Sequence, residues 1–123
     1  MEIQIISFGF SNGIPVNSDM IVDARILPNP HYVDYLRPLD GLNEEIENFV
    51  LKEDYSIEYL DKLKDFVDFF VHNSANLKNQ SINISVGCTG GKHRSVVIAE
   101  DIYKFLQVND FDVKVYHRDL ESS

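Results

Sequence analysis

Residues 82–106, INISVGCTGGKHRSVVIAEDIYKFL, contain the clearest indication of fold in this sequence. Its first part alternates apolar and polar residues, which predicts a β-strand that ends near Val86. A glycine-rich loop follows at once. Apolar residues then recur at the spacing of a helix that begins at Ser95. A strand that passes through a glycine loop into a helix is typical of an open α/β sheet.

The rest of the chain supplies further strands and helices in alternation. Short β-branched runs predict three more strands, at residues 2–8, 20–24 and 111–116. Asn43 is the expected N-cap of a helix that runs to about Leu51, and Ser56 that of a longer helix that ends at residues 72–74. We therefore expect one α/β domain over residues 1–123, with a largely parallel four-stranded sheet flanked by helices.

A long connection at residues 25–41 follows the second predicted strand. Pro28, Pro30 and Pro38 exclude regular structure there and stiffen the chain. Long connections inside compact domains are usually functional when they are not disordered. This segment, called the proline loop below, is therefore expected to contribute to a site.

The net charge and the cysteine count limit the classes of function. A formal charge of −9 disfavours broad nucleic-acid binding, which depends on basic side chains that neutralise phosphates. The single cysteine, Cys88, permits no internal disulfide and fits a cytoplasmic compartment. The chain has no apolar run long enough to span a membrane, and its first residues lack the basic start of a signal peptide. We expect a cytoplasmic protein without a membrane partner.

The arginines follow a different pattern from the acids, half of which lie between residues 40 and 68. The four arginines each follow a predicted strand or lie in a loop downstream of one: Arg25, Arg37, Arg94 and Arg118. Three of the four histidines, His31, His93 and His117, share these segments. An acidic protein that gathers its arginines and histidines at strand ends is expected to build a local anion pocket there.

The glycine loop, defined here as residues 87–95, carries the chemistry of that pocket. Glycines such as Gly90 and Gly91 let the main chain approach a ligand and turn its amides inward. The helix that follows presents unpaired amides at the positive end of its dipole. The loop also offers hydroxyls and basic groups, from Thr89, Ser95, Lys92, His93 and Arg94. The sequence therefore predicts a site for a phosphate or a similar anion, in a phosphorylated metabolite or an inorganic ion.

Two enzyme loops share parts of this pattern. The ATP-binding loop G-x-x-x-x-G-K-[ST] does not match, because Gly87 to Gly91 is one residue short and His93 occupies the Ser/Thr position. Cys88 and Arg94 do have the C-x5-R spacing of cysteine phosphatases, whose thiolate attacks phosphorus. A phosphatase that uses Cys88 therefore stays open as an alternative.

Such an enzyme would need a general acid, and Asp23, Asp34 or Asp40 could supply it. In the non-enzymatic reading no residue is catalytic. His31 and His93 show no ligand spacing with Cys88, so we expect no metal and no cofactor.

Four segments together resemble a known family. They are residues 5–10 with 13–15 (IISFGF and GIP), 23–31 (DARILPNPH), 36–42 (LRPLDGL), and 87–95 with 117–120 (GCTGGKHRS and HRDL). The chain is similar over nearly its whole length to the C-terminal domain of the RapZ (YvcJ-like) proteins.

The resemblance implies a regulatory role. RapZ-like proteins are adapters that present a small regulatory RNA to an endoribonuclease, tune amino-sugar synthesis and sense glucosamine-6-phosphate. Their C-terminal domain carries the RNA-binding and ligand-sensing roles and self-associates, which implies a homodimer or a larger homo-oligomer. By motif, the ligand pocket would comprise His31, Thr89, Gly90, His93 and Arg94.

Two departures from the family shape the expectation. The N-terminal P-loop nucleotide-binding domain of the family is absent, so we expect no ATP or GTP hydrolysis. The chain ends in Asp119-Leu120-Glu121-Ser122-Ser123 instead of a basic tail, which together with the charge of −9 disfavours RNA binding.

The leading expectation is a standalone, non-enzymatic sensor of an amino-sugar phosphate. A small-RNA adapter and a cysteine phosphatase are the alternatives. The expected ligand-binding residues are His31, Thr89, Gly90, Gly91, His93 and Arg94, with Arg25, Arg37, Ser95 and Arg118 as secondary candidates. Arg25, Arg37 and Arg118 could equally brace loops by pairing with Asp23, Asp34 or Asp119.

Overall fold

The computed structural model describes residues 2–74 and 81–120, so the end of the acidic tail, residues 121–123, lies outside the description. The strands are β1 (Glu2–Gly9), β2 (Met20–Asp23), β3 (Ser81–Cys88) and β4 (Asp112–His117). The helices are α1 (Glu44–Val50), α2 (Asp54–Ser74) and α3 (Arg94–Val108), with short 3₁₀ turns at Phe10–Asn12 and Pro30–Tyr32. The predicted alternation of strands and helices is confirmed.

All four strands lie in one parallel sheet in the order β2-β3-β1-β4, which confirms the predicted sheet. The register aligns Gly9 of β1 with Cys88 of β3, and Ser7 of β1 with His117 of β4. The carboxyl ends of these three strands therefore meet at one edge. The glycine loop leaves β3 beside the last residue of β1, at the position where open α/β sheets bind ligands.

The core forms between one face of the sheet and the three helices. Helix α3 packs directly on β1, β3 and β4, and α1 and α2 pack in turn against α3. The apolar core residues of the strands alternate along the chain, as the two-residue period of a strand requires: Ile3, Ile5, Val22, Ile82, Ile84 and Val86. From α3 they meet Val97, Ile98, Ala99, Ile102 and Leu106.

The opposite face of the sheet is partly open. Gln4, Ile21, Lys114 and Tyr116 are exposed on it. The connection from β1 to β2 crosses part of this face, where the hydroxyls of Ser18 and Ser85 lie 2.6 Å apart. Within residues 2–74 and 81–120, no helix combines the length and the apolar character needed to cross a membrane.

The two predicted helix caps have different outcomes. The Asn43 side chain accepts a hydrogen bond from the Glu45 amide at 2.9 Å, which confirms it as the N-cap of α1. The predicted cap at Ser56 is wrong, since α2 already begins at Asp54. The carbonyl of Glu53 accepts from the amides of Ser56 and Ile57, so the first helical turn closes before Ser56 could cap it.

Candidate functional site

The glycine loop rests on β1 through a contact between two main chains. A Cβ atom on Gly91 would lie 2.5 Å from the Gly9 nitrogen, and one on Gly9 would lie 2.5 Å from the carbonyl carbon of Gly90. Gly91 also has a φ of +78°, which side-chain-bearing residues rarely adopt. The glycines therefore allow the loop to sit directly on the end of β1.

Asp119 supports this contact from the segment after β4. Its Oδ2 accepts a hydrogen bond from the Gly9 amide at 2.6 Å, and Arg118 binds the same carboxylate at 3.0 Å. Burial acts to raise the pKa of Asp119, but the hydrogen bonds from Arg118 and Gly9 outweigh it and lower that pKa. Asp119 is thus a charged anchor beneath the loop.

The main chain of the loop turns its carbonyls to the protein and keeps its amides available. The Thr89 carbonyl accepts from the Ser11 amide at 3.2 Å, and the Lys92 carbonyl accepts from the Gly41 amide at 2.8 Å. In the described part of the chain, the amides of residues 89 to 93 donate to no main-chain carbonyl. Such amides at the start of a helix form a site that favours an anion.

A cleft of about 470 Å³ opens beside these amides. It is lined by Asn29, His31, Tyr32, Cys88, Thr89, Gly90, Lys92, His93 and Arg94. Five of the six residues expected to bind the ligand lie around this one cleft. Gly91 does not line it, because it is buried against β1. Asn29 and Tyr32, which both belong to the proline loop, were not among the expected ligand-binding residues.

Arg94 lies beneath the cleft with only 5% of its surface exposed. Its Nη1 donates to the carbonyls of Arg25 at 2.6 Å and of Leu27 at 3.4 Å, and its Nη2 lies 3.4 Å from the Thr89 hydroxyl. Its Nε is buried and, among the described residues, has no partner. A buried guanidinium with an unused N–H group is suited to bind an anion at the adjacent amides.

His93 holds the other end of the proline loop. Its Nε2 lies 2.6 Å from the Leu39 carbonyl and 3.2 Å from the Arg37 carbonyl. A carbonyl only accepts, so Nε2 carries the proton. Burial lowers the pKa of His93 although these two hydrogen bonds act to raise it. The lowered pKa favours the neutral ring over the charged one.

His31 and Lys92 line the cleft from two different loops. The His31 amide donates to the Asn29 side chain at 3.1 Å, which starts the 3₁₀ turn, and its ring packs edge-on against Tyr32. Lys92 is exposed in the glycine loop. The cleft thus has a charged side and an aromatic side.

The other three arginines do not line this cleft. They form the aspartate pairs that were the alternative reading of the sequence: Arg25–Asp23 at 2.8 Å, Arg37–Asp34 at 3.1 Å and Arg118–Asp119 at 3.0 Å. Arg25 also stacks over the Phe10 ring, 4.1 Å from its centroid. These arginines brace the loops around the site.

Cys88 lines the cleft but is held as a buried thiol, 2% exposed, whose Sγ donates to the Ser95 hydroxyl at 3.2 Å. Asp23 and Asp34 pair with arginines, and Asp40 accepts from the Leu42 amide at 2.9 Å. None of these possible general acids is among the cleft residues. In the described ranges, no group of three or more His, Cys, Asp or Glu side chains could hold a metal ion.

Comparison with known proteins gives one consistent family. Residues 1–121 match the model of the RapZ C-terminal domain. Proteins named "nucleotide-binding protein" are similar in Agathobacter rectalis (46% identity over 96% of this chain) and in Caldicellulosiruptor saccharolyticus (41% over 98%). A third, from Thermoanaerobacter sp. strain X514, is 42% identical over 96% of the chain.

The chain spans only 41% to 42% of the length of these relatives. The matched part is nevertheless almost all of the chain, from β1 through the segment after β4. The chain therefore belongs to the RapZ C-terminal domain family.

Proposed function

We propose that this chain is a non-enzymatic binding domain that senses a phosphorylated small metabolite at the cleft beside the glycine loop. The observation that carries the proposal is the buried guanidinium of Arg94, with an unpartnered Nε, beside loop amides that donate to no main-chain carbonyl. Unpaired buried donors are costly unless a ligand satisfies them. A phosphate supplies several strong acceptor oxygens at once.

The charge around the cleft favours an anion although the chain is acidic. Lys92 and Arg94 line the cleft, whereas Asp23 at the end of β2 and Asp34 in the proline loop are paired with arginines. Ion pairs between exposed groups leave little net field, so the unpaired cations and the helix dipole dominate locally.

Binding without turnover accords with the state of Cys88. A cysteine nucleophile must be a thiolate that can reach the phosphorus atom. Here the thiol is almost fully buried and donates to Ser95, and the three aspartates proposed as general acids are engaged elsewhere. The C-x5-R spacing then serves to bring the loop and Arg94 around an anion.

We further propose that the metabolite is an amino-sugar phosphate, which follows from membership of the family. The cleft volume of about 470 Å³ lies in the range of pockets that enclose small ligands. Asn29, His31 and Tyr32 line the side contributed by the proline loop, where they would meet the hydroxyl and amino groups of a sugar.

The test is thermal unfolding of the full chain with inorganic phosphate, glucosamine-6-phosphate and ATP as probes. A ligand that binds only the folded state raises the melting temperature, and at 100 times its Kd it adds about 2.7 kcal/mol to the free energy of unfolding. We expect glucosamine-6-phosphate to stabilise the chain more than phosphate at equal concentration. ATP is included because of the name that the relatives carry.

The matched variants are Arg94→Lys, Lys92→Ala, Arg25→Ala and Cys88→Ser. Arg94→Lys and Lys92→Ala should reduce the stabilisation by either phosphate probe, whereas Arg25→Ala removes a nearby charge outside the cleft and should not. Cys88→Ser should preserve it. The proposal would be overturned if Arg94→Lys and Arg25→Ala lost the same amount of stabilisation by the probes. It would also be overturned if the chain released phosphate from glucosamine-6-phosphate and Cys88→Ser abolished that release.

A further inference from the structure

The hydrogen bonds of His93 fix which of its ring nitrogens can meet a ligand. Its Nε2 donates to the Leu39 and Arg37 carbonyls, so a neutral ring leaves Nδ1 without a proton. Among the described residues, Nδ1 has no hydrogen-bond partner. It is also not one of the polar side-chain atoms that are fully buried without a partner. Nδ1 therefore keeps access to solvent while the ring lines the cleft.

An acceptor in an anion site has a consequence for selectivity. The loop amides, Lys92 and Arg94 all donate, and they suit any oxyanion. The lone pair of Nδ1 instead repels a bare oxyanion oxygen and requires a hydrogen-bond donor. When a bound ligand displaces water from such an acceptor and leaves it unpaired, the cost discriminates strongly between otherwise similar ligands.

We propose that His93 makes the cleft select a phosphorylated ligand that donates a hydrogen bond over an oxyanion that cannot. The donor is either a protonated phosphoryl oxygen or a hydroxyl or ammonium group next to the phosphate. Sulfate has the same shape as phosphate but carries no proton near neutral pH, so it is the disfavoured ion. This inference rests on the proposed anion site and adds a role for His93 within it.

Several influences favour the neutral ring of His93. Burial lowers the pKa of His93, and the nearby charges of His31 and Arg94 act in the same direction. The carbonyls of Leu39 and Arg37 act in the opposite direction but hold the proton on Nε2. A second positive charge beside Arg94 is thereby avoided, and the acceptor on Nδ1 is retained.

The experiment is calorimetric titration of the full chain with inorganic phosphate and with sulfate at the same ionic strength. We expect phosphate to bind at least about tenfold more tightly than sulfate, the size expected from one hydrogen bond made or lost. His93→Gln keeps an N–H donor for the Leu39 carbonyl but moves the acceptor away from the Nδ1 position. It should bring the ratio of the two affinities close to about 1.

Lys92→Ala is the control, since losing a charge at the rim should weaken both ions and leave their ratio unchanged. Methyl phosphate above the second pKa of its phosphate, about 6, has no donor, and glucosamine-6-phosphate keeps its hydroxyl and ammonium donors. Tight binding of the sugar phosphate alone under those conditions assigns the donor to the sugar. If neither methyl phosphate nor glucosamine-6-phosphate binds tightly there, the donor to Nδ1 is the protonated phosphoryl oxygen.

A measurement on the unmodified chain keeps the test valid if His93→Gln does not fold. Long-range proton–nitrogen NMR spectra should show an unprotonated Nδ1 whose signal shifts with phosphate and not with sulfate. Equal affinity of the unmodified chain for both ions, or a proton on Nδ1 in the free protein, would overturn this inference and leave the anion site intact. If the chain bound neither phosphate, nor sulfate, nor the sugar phosphate, the proposed function itself would be overturned.

Discussion

Gly90 and Gly91 are neighbours in the glycine loop but carry different demands. Gly91 has a φ of +78° and faces the Gly9 nitrogen, so an added Cβ would meet main chain that cannot move aside. An added Cβ on Gly90 would meet nothing within 4 Å. Gly91 thus allows the loop to pack on β1, and Gly90 lies where the cleft opens.

We predict that Gly91→Ala lowers the free energy of unfolding by about 2–4 kcal/mol, from strain at positive φ together with the clash against β1. Gly90→Ala should change it by less than about 1 kcal/mol, because the site is open and does not require positive φ. Urea titrations of both variants check this. Similar costs for the two variants would show that the contact with Gly9 does not hold the loop.

At the scale of single residues, the sequence predicted the kinds of group at the site but not their states. Thr89, Gly90 and Arg94 stand in one short motif, so their proximity is local information. The tautomer of His93 depends on the carbonyls of Arg37 and Leu39, which lie more than 50 positions away and meet the ring only through the fold.

The edge strand β4 is attached to its neighbours by a partly buried network of polar side chains. His117 of β4 donates through Nε2 to Glu100 of α3 at 2.7 Å, and its Nδ1 lies 2.7 Å from the hydroxyl of Ser7 in β1. Ser7 is fully buried, so its hydroxyl depends on His117 for a partner. These three side chains therefore join β1, β4 and α3 at the edge of the sheet where the cleft lies.

We predict that His117→Ala lowers the free energy of unfolding by about 1–3 kcal/mol, because it leaves the Ser7 hydroxyl unsatisfied and the Glu100 carboxylate unpaired. Glu100→Gln should cost less, since an amide still accepts from the ring. Lys114→Ala, on the same strand as His117, removes only the exposed ion pair between Lys114 and Glu2 of β1 and should stay within about 0.5 kcal/mol. Chemical unfolding of the three variants measures the difference, and a cost for His117→Ala no larger than that of Lys114→Ala would exclude this role.

At the scale of elements, periodicity and turn residues predicted every strand and α-helix of the described residues, because those signals are local. The side of the sheet on which the helices pack was not predictable, since it depends on how α1 and α2 meet α3. The start of α2 was misplaced for a similar reason. Ser56 resembles a cap in sequence, but it is buried within the first turn of that helix.

Across the whole molecule, most of the charge at the cleft edge is neutralised in pairs. Three of the four arginines bind aspartates, and Lys92 and Arg94 are the basic residues of the cleft that remain outside such pairs. With a net charge of −9, this distribution favours a small anion held by local donors over a long polyanion held by a broad field. The small-RNA role and self-association stay predictions that follow from the family.

The same pairs make the stability of the whole domain depend on pH. The pKa of Asp119 is lowered in the folded state, so its stabilising contribution is complete above the unfolded value of about 4 and is lost as the pH falls through the folded value. Asp23 behaves in the same way through its hydrogen bonds from Arg25, which lower its pKa. The lowered pKa of His93 adds acid lability that begins higher, below about pH 6.5.

We predict that Asp119→Asn lowers the free energy of unfolding by about 1–3 kcal/mol near neutral pH, the contribution expected of hydrogen bonds to a charged group. The gap between this variant and the unmodified chain should narrow as the pH falls below about 4 and close below the lowered folded pKa of Asp119, where Asp119 is protonated in both the folded and unfolded states. Asp34→Asn is the control, since its exposed pair with Arg37 contributes little at any pH. Urea titrations from about pH 7 to about pH 2 measure both gaps. A gap for Asp119→Asn that stays constant into acid would mean that the shape of this side chain, and not its charge, holds β1 beneath the glycine loop.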